Sequence, residues 1–165
     1  MTASELLADA FSRIGEGATM VVDGLTPQDL SHRITPDANS IGWLVWHLLR
    51  VQDDHVAAAA GTEQVWTSAG WQKRFGLPFD DEATGYGQSS DDVEAVEVGA
   101  ELLDGYARAV TAVTLAYVES LSDTDLQRVV DESWDPSVTL AVRLLSIIGD
   151  DFKHLGQAEY IRGLL

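Results

Sequence analysis

Ser40-Ile-Gly-Trp-Leu-Val-Trp-His-Leu-Leu-Arg-Val-Gln-Asp-Asp-His-Val-Ala-Ala-Ala-Ala-Gly61 is the stretch that decides the fold. Ile41, Leu44, Val45, Leu48 and Val51 recur at helical spacing and make one apolar face. Asn39-Ser40 supplies capping side chains ahead of that face, Pro36 lies just upstream, and Gly61 stops the run after Ala60. The same reading extends toward the N-terminus. Thr2-x-x-Glu5 is a capping box ahead of Leu6, Leu7, Ala10, Phe11 and Ile14, which predicts a first helix from about Ala3 to Val22 with Gly24 as its stop. Leu25-Thr-Pro-Gln-Asp-Leu30 reads as a short capped turn between the two helices.

Beyond Gly61 the periodicity is lost. From Thr62 to Ser90 the chain carries Gly70, Gly76, Pro78, Gly85 and Gly87, and a connection of that length is either functional or a crossover. Trp66, Trp71, Phe75 and Tyr86 make it aromatic enough to pack against the rest of the chain. Ser89-Ser90-Asp91-Asp92 is expected to cap a third helix running to about Ser120. A short turn follows over Ser122 to Val130, and Trp134-Asp-Pro136 ends the connection to a last helix that starts near Ser137 and runs to the C-terminus. Four long amphipathic segments without a strand run predict an all-α four-helix bundle, one domain over residues 1–165. The long middle connection would let the second and third helices run parallel.

Composition narrows the partners. Hydrophobic residues make up 45% of 165, enough for a substantial core, and no run approaches the apolar length of a membrane span. The N-terminal segment MTASELLADAF carries acids where a signal peptide would be basic, so a soluble, cytoplasmic protein is expected. A formal net charge of −17 argues against nucleic acid and anionic membrane surfaces, both of which need clustered Lys and Arg. Cysteine is absent, which excludes disulfides, a Cys-based zinc site and a protein thiol nucleophile. Any thiol chemistry would use a thiol brought by a substrate.

The last helix holds the candidate chemistry. Asp150-x-x-x-His154 sets a carboxylate and an imidazole on one helical face, about 6 Å apart along the axis, so that both can reach one metal ion. His47 from the second helix would complete an open three-ligand site. Two blander readings stand beside this one. His47 could be a buried histidine satisfied by one hydrogen bond. Gly149-Asp150-Asp151 could instead break the helix, with Asp150 capping a new start. Asp150 lines up with Arg143, Ile147 and Ile161, which predicts that it faces inward; Asp151 falls about 100° further round, although its i,i+3 relation to His154 keeps it a second carboxylate candidate. Two imidazoles and a carboxylate suit Zn²⁺, and Fe²⁺ or Ni²⁺ accept the same donors.

At these residues the chain resembles the DinB/YfiT-like metalloenzyme superfamily, and most closely its mycothiol-dependent branch, the mycothiol S-transferase and maleylpyruvate isomerase-like proteins. The resembling pieces are Ser40-Ile-Gly-Trp-Leu-Val-Trp-His47, then Trp66-Thr-x-x-Gly-Trp71, Arg74-Phe-Gly76 and Thr84-Gly-Tyr-Gly87, and finally Asp150-Asp-Phe-Lys-His-Leu-Gly-Gln157 with Arg162. The resemblance implies a metal held by His47, Asp150 and His154, mycothiol as co-substrate, and a homodimer. Many relatives carry His or Glu where Asp150 stands; the shorter Asp side chain would require a closer backbone or a bridging water.

A mechanism follows as an expectation. A small thiol at the open metal position would be held as thiolate and attack a small electrophilic substrate. Asp54 lies two turns from His47, about 10 Å along the helix, where it could touch a bound polyol or simply be a solvated acid. Arg143 lies two turns before Asp150, placed to hold an anionic group or to neutralise neighbouring acids. A metal hydrolase and a non-catalytic metal-binding stress protein are the alternatives.

Overall fold

The capping side chains fix the helix ends. In the computed structural model, which describes residues 1–165, the Thr2 hydroxyl accepts from the Glu5 backbone N–H while the Thr2 N–H donates to the Glu5 carboxylate, opening α1 (Ala3–Val22). Thr26 and Asp29 repeat the device for α2 (Pro27–Ser31). Ser40 caps α3 (Ile41–Ala60), which closes at Gly61 with φ 69°, a left-handed position suited to glycine. Two short helices, α4 (Val65–Ser68) and α5 (Trp71–Phe75), interrupt the long connection before α6 (Ser90–Glu94) and α7 (Ala100–Glu119). A small antiparallel pair, β1 (Val129–Asp131) and β2 (Val138–Thr139), leads into α8 (Leu140–Arg162).

The four long helices form the predicted bundle, in the cyclic order α1, α7, α3, α8, with α1 and α3 on a diagonal. Side-chain pairings set their directions. Tyr106 bonds Asp53 and Tyr117 bonds the Ala59 carbonyl, in the same order along both chains, so α3 and α7 run parallel. Ser4 of α1 bonds the Val118 carbonyl at the far end of α7, so those two run antiparallel. Arg162 at the end of α8 donates to the Met20 and Val21 carbonyls at the end of α1, a parallel pair. Parallel α3 and α7 need the chain to return along the bundle between them, which residues 61–99 do. Phe11, Ile14, Leu44, Leu48, Leu103, Leu144 and Ile147 are buried at the centre, each contributing about 1.5–3 kcal/mol by leaving water. No helix is long and apolar enough to cross a membrane.

Four sequence expectations are corrected. The third long helix does not begin at the Ser89 cap: that capping box opens only α6, and a break follows before α7. Val96 and Val98 are buried on either side of Glu97, a period-two pattern that belongs to extended chain and is not helical. The last helix starts at Leu140 under a Thr139 cap, because Val138 and Thr139 are drawn into pairing with β1. The helix is also continuous through Gly149-Asp150-Asp151, which removes the broken-helix reading. Finally, Trp66, Trp71 and Phe75 pack as expected, but Tyr86 is 94% exposed.

Candidate metal centre

The antiparallel seam between α3 and α8 brings the sequence candidates together. His47 sits in the middle of α3, buried, with its ring stacked on Trp43 at 4.6 Å between centroids. From α8, His154 meets it edge-on at 4.8 Å between ring centroids. His154 Nε2 lies 3.7 Å from Asp150 Oδ1, and one donor atom from each of His47, Asp150 and His154 lies within 4.8 Å of the others. Tetrahedral zinc with bonds of about 2.0–2.1 Å holds its donors roughly 3.3–3.4 Å apart, so small side-chain movements would bring this set onto one ion.

Asp150 and Asp151 exchange the positions expected of them. Asp151 is 0% exposed, whereas Asp150 is half-buried at the rim of the seam. The packed stripe of α8 runs through Leu144, Ile147, Ile148, Asp151, Leu155 and Ala158, and Arg143, Asp150 and His154 stand on its flank. Asp151 reaches no hydrogen-bond partner with either oxygen. Burial, and then repulsion from Asp150, pushes its carboxyl well above the usual carboxylate range.

Each imidazole is held through Nδ1. His47 Nδ1 is hydrogen-bonded to the Thr84 carbonyl, an acceptor, so that nitrogen carries the proton. His154 Nδ1 meets Gln157 Oε1 at 2.8 Å, with the same consequence. Both Nε2 lone pairs are then left for a ligand, the arrangement in which an outer carbonyl or amide fixes the tautomer of a metal-binding histidine. Burial draws the His47 pKa below the ordinary histidine value; the Thr84 bond and Asp150 oppose this and His154 adds to it. At neutral pH His47 is therefore the uncharged imidazole that a metal requires.

The cluster opens into a cavity of about 570 Å³ between α3 and α8. Asp54 and Arg143, each two helical turns from the cluster, both line it. Neither is free: Asp54 accepts from Gln64 Nε2 at 2.7 Å, and Arg143 donates to Asp131 at 2.8 Å. His55, Thr84, Tyr86 and Ser146 complete the polar lining, and sequence reading assigned none of them to the site. His55 and Ser146 were reachable by helical spacing from His47 and Asp150, and Gln157 by its i,i+3 relation to His154. Thr84 contributes a backbone carbonyl, which leaves no signature in residue type. Burial, then Arg143, lowers the His55 pKa.

An all-α bundle with a parallel middle pair, a long crossover and a His–Asp–His cluster between its second and fourth long helices is the arrangement that the resemblance to DinB-like proteins implies. A crystal structure described as a conserved protein from Enterococcus faecalis is 30% identical, with a TM-score of 0.91 over 98% of this chain and 96% of that one. The profile of the mycothiol S-transferase family matches residues 6–165, and the chain belongs to that family. None of the curated proteins compared with it matches.

Proposed function

We propose that the protein is a metal-dependent transferase that joins a low-molecular-weight thiol, mycothiol or a close analogue, to a small electrophilic substrate. The observation that carries this reading is the His47–Asp150–His154 cluster at the base of an open cavity, in a chain without cysteine. His47 and His154 would hold a divalent ion through Nε2, and Asp150 through its carboxylate; the donor set fits Zn²⁺, with Ni²⁺ and Fe²⁺ as alternatives. The bound ion would supply a Lewis acid able to keep a thiol ionised at neutral pH. Membership of the mycothiol S-transferase family supports the choice of thiol.

The chain's own residues do the rest. The Thr84 carbonyl and Gln157 keep the two Nδ1 protons in place, so neither imidazole has to change tautomer to bind. Asp54, His55 and Ser146 offer donors and acceptors along the cavity to a hydroxyl-rich ligand. Arg143, steadied by Asp131, would hold an anionic group of either substrate. The reading puts the protein in the cytoplasm, where small thiols stay reduced.

The test is an assay of zinc-loaded full-length protein with mycothiol and an activated aryl halide. Stoichiometric loss of both reactants, absent in His47→Ala and His154→Ala, is the expected result. Turnover of an ester without thiol, or metal binding with no turnover of either kind, would overturn the transferase reading.

A further inference from the structure

Residues 81–88 of the crossover lie against one face of α3 and are fastened there at three heights. Arg50 Nε donates to the Ala83 carbonyl at 3.1 Å and its Nη2 to the Asp81 carbonyl at 3.3 Å. One turn earlier His47 meets the Thr84 carbonyl, and a further turn earlier Trp43 Nε1 donates to Gln88 Oε1 at 2.7 Å. Residues 43, 47 and 50 share a helix face, so the segment runs antiparallel to α3 like a strap. Its closest approach is at Gly85, where a Cβ would stand 2.6 Å from His47 Nδ1 and 3.1 Å from the Trp43 and Trp46 rings.

Arg50 is 0% exposed, and burying a guanidinium is costly unless its donors are used. The ion pair with Asp53 does not account for it. That contact is 3.8 Å long, and the Asp53 carboxylate is already taken up by the Val65 and Trp66 backbone N–H groups and the Tyr106 hydroxyl, each at 2.8 Å. The guanidinium instead spends two sides of its fork on strap carbonyls and a third on Gln64 Oε1 at 2.7 Å. A planar fork can hold these carbonyls together; an ammonium cannot.

We propose that Arg50 is a positioning residue for the His47 imidazole: by holding the Asp81 and Ala83 carbonyls it sets the adjoining Thr84 carbonyl against Nδ1 and so keeps Nε2 turned toward Asp150 and His154. The consequence for metal binding rests on the metal reading above, whereas the consequence for the tautomer does not. His154 supplies an internal control, because its Nδ1 partner Gln157 lies on its own helix and owes nothing to the strap.

The experiment is ¹⁵N NMR of the imidazole nitrogens in the full-length metal-free protein, whose four histidines make assignment tractable, followed by zinc titration against a competing chelator. Wild type should show both His47 and His154 with the proton on Nδ1. In Arg50→Lys, which keeps the charge and removes the fork, His47 should become a mixture of tautomers while His154 is unchanged, and zinc affinity should fall about 10- to 100-fold. Should that variant fail to fold, the charge-balanced Arg50→Met/Asp53→Asn pair answers the same question. His47 protonated on Nε2 in wild type, or an unaltered His47 signal with zinc affinity within about twofold in the folded variant, would overturn the proposal. Wild type that binds no zinc would overturn the metal reading alone, and the tautomer signals would still decide the role of Arg50.

Discussion

The Thr84 carbonyl reaches His47 Nδ1 only because residue 85 has no side chain. Gly85 has φ +97°, a region L-residues rarely enter, and its α-carbon faces the His47 ring. Gly85→Ala should therefore cost about 1–3 kcal/mol of stability from backbone strain and crowding. It should also weaken zinc binding by pushing the strap off the imidazole. Urea denaturation and chelator competition read the two effects separately.

The two neighbouring acids should behave as opposites toward metal. Asp150→Asn is expected to lower zinc affinity by at least about 10-fold, with His47→Ala and His154→Ala abolishing near-stoichiometric loading. Asp151→Asn should leave the loading intact, because that carboxyl faces the packed side of α8. Elemental analysis of the purified variants checks all four. Zinc lost from Asp151→Asn and retained by Asp150→Asn would reassign the carboxylate.

Asp151 should also be a source of instability. Leu has the same branched outline with methyl groups in place of the oxygens, so Asp151→Leu removes an unpartnered buried acid without opening a cavity. It should stabilise the metal-free protein by about 1–3 kcal/mol at pH 7–8. The folded-state pKa of Asp151 is raised, so the folded protein binds that proton more tightly than the unfolded chain does. The Asp151 contribution is most favourable below the usual carboxylate range and is lost as pH rises toward the folded-state value. The advantage of Asp151→Leu should accordingly shrink as the pH is lowered. A gain that is the same at pH 4 and pH 8 would contradict the burial of an ionisable group.

Tyr86 offers the reverse combination. It is 94% exposed, flanked by Gly85 and Gly87 at positive φ, and borders the cavity. Tyr86→Ala should change stability by no more than about 0.5 kcal/mol. If the ring closes on bound substrate, kcat/KM should fall several-fold with zinc affinity unchanged. Unaltered kinetics would make it a bystander.

Much of this was legible in the residues. The ends of the first two long helices follow from Thr2, Gly24, Ser40 and Gly61, since capping hydroxyls and left-handed glycines act locally. That His47, Asp150 and His154 would come together was legible from residue type, spacing and family resemblance together. The errors are those of tertiary context. Ser89 caps a helix either way, and only the burial of Val96 and Val98 shows that the chain straightens before α7. Asp150 and Asp151 differ by one helical step, and which of them faces the core depends on how α8 is rotated against α1 and α3. A periodicity drawn from Arg143 and Ile161 cannot resolve that rotation. The hold of Arg50 on the strap was invisible because its partners are main-chain carbonyls.

The seam between α3 and α8 joins parts of the chain that are far apart in sequence. An ion shared by His47, Asp150 and His154 would therefore act as a reversible staple, closing a loop on the order of a hundred residues that must otherwise be closed by packing alone. Half of the bundle, α1 and α7, would lie outside the stapled pair. Stripping the ion would then loosen one side of the molecule first, leaving α3 and α8 to part along a cavity that is already open between them.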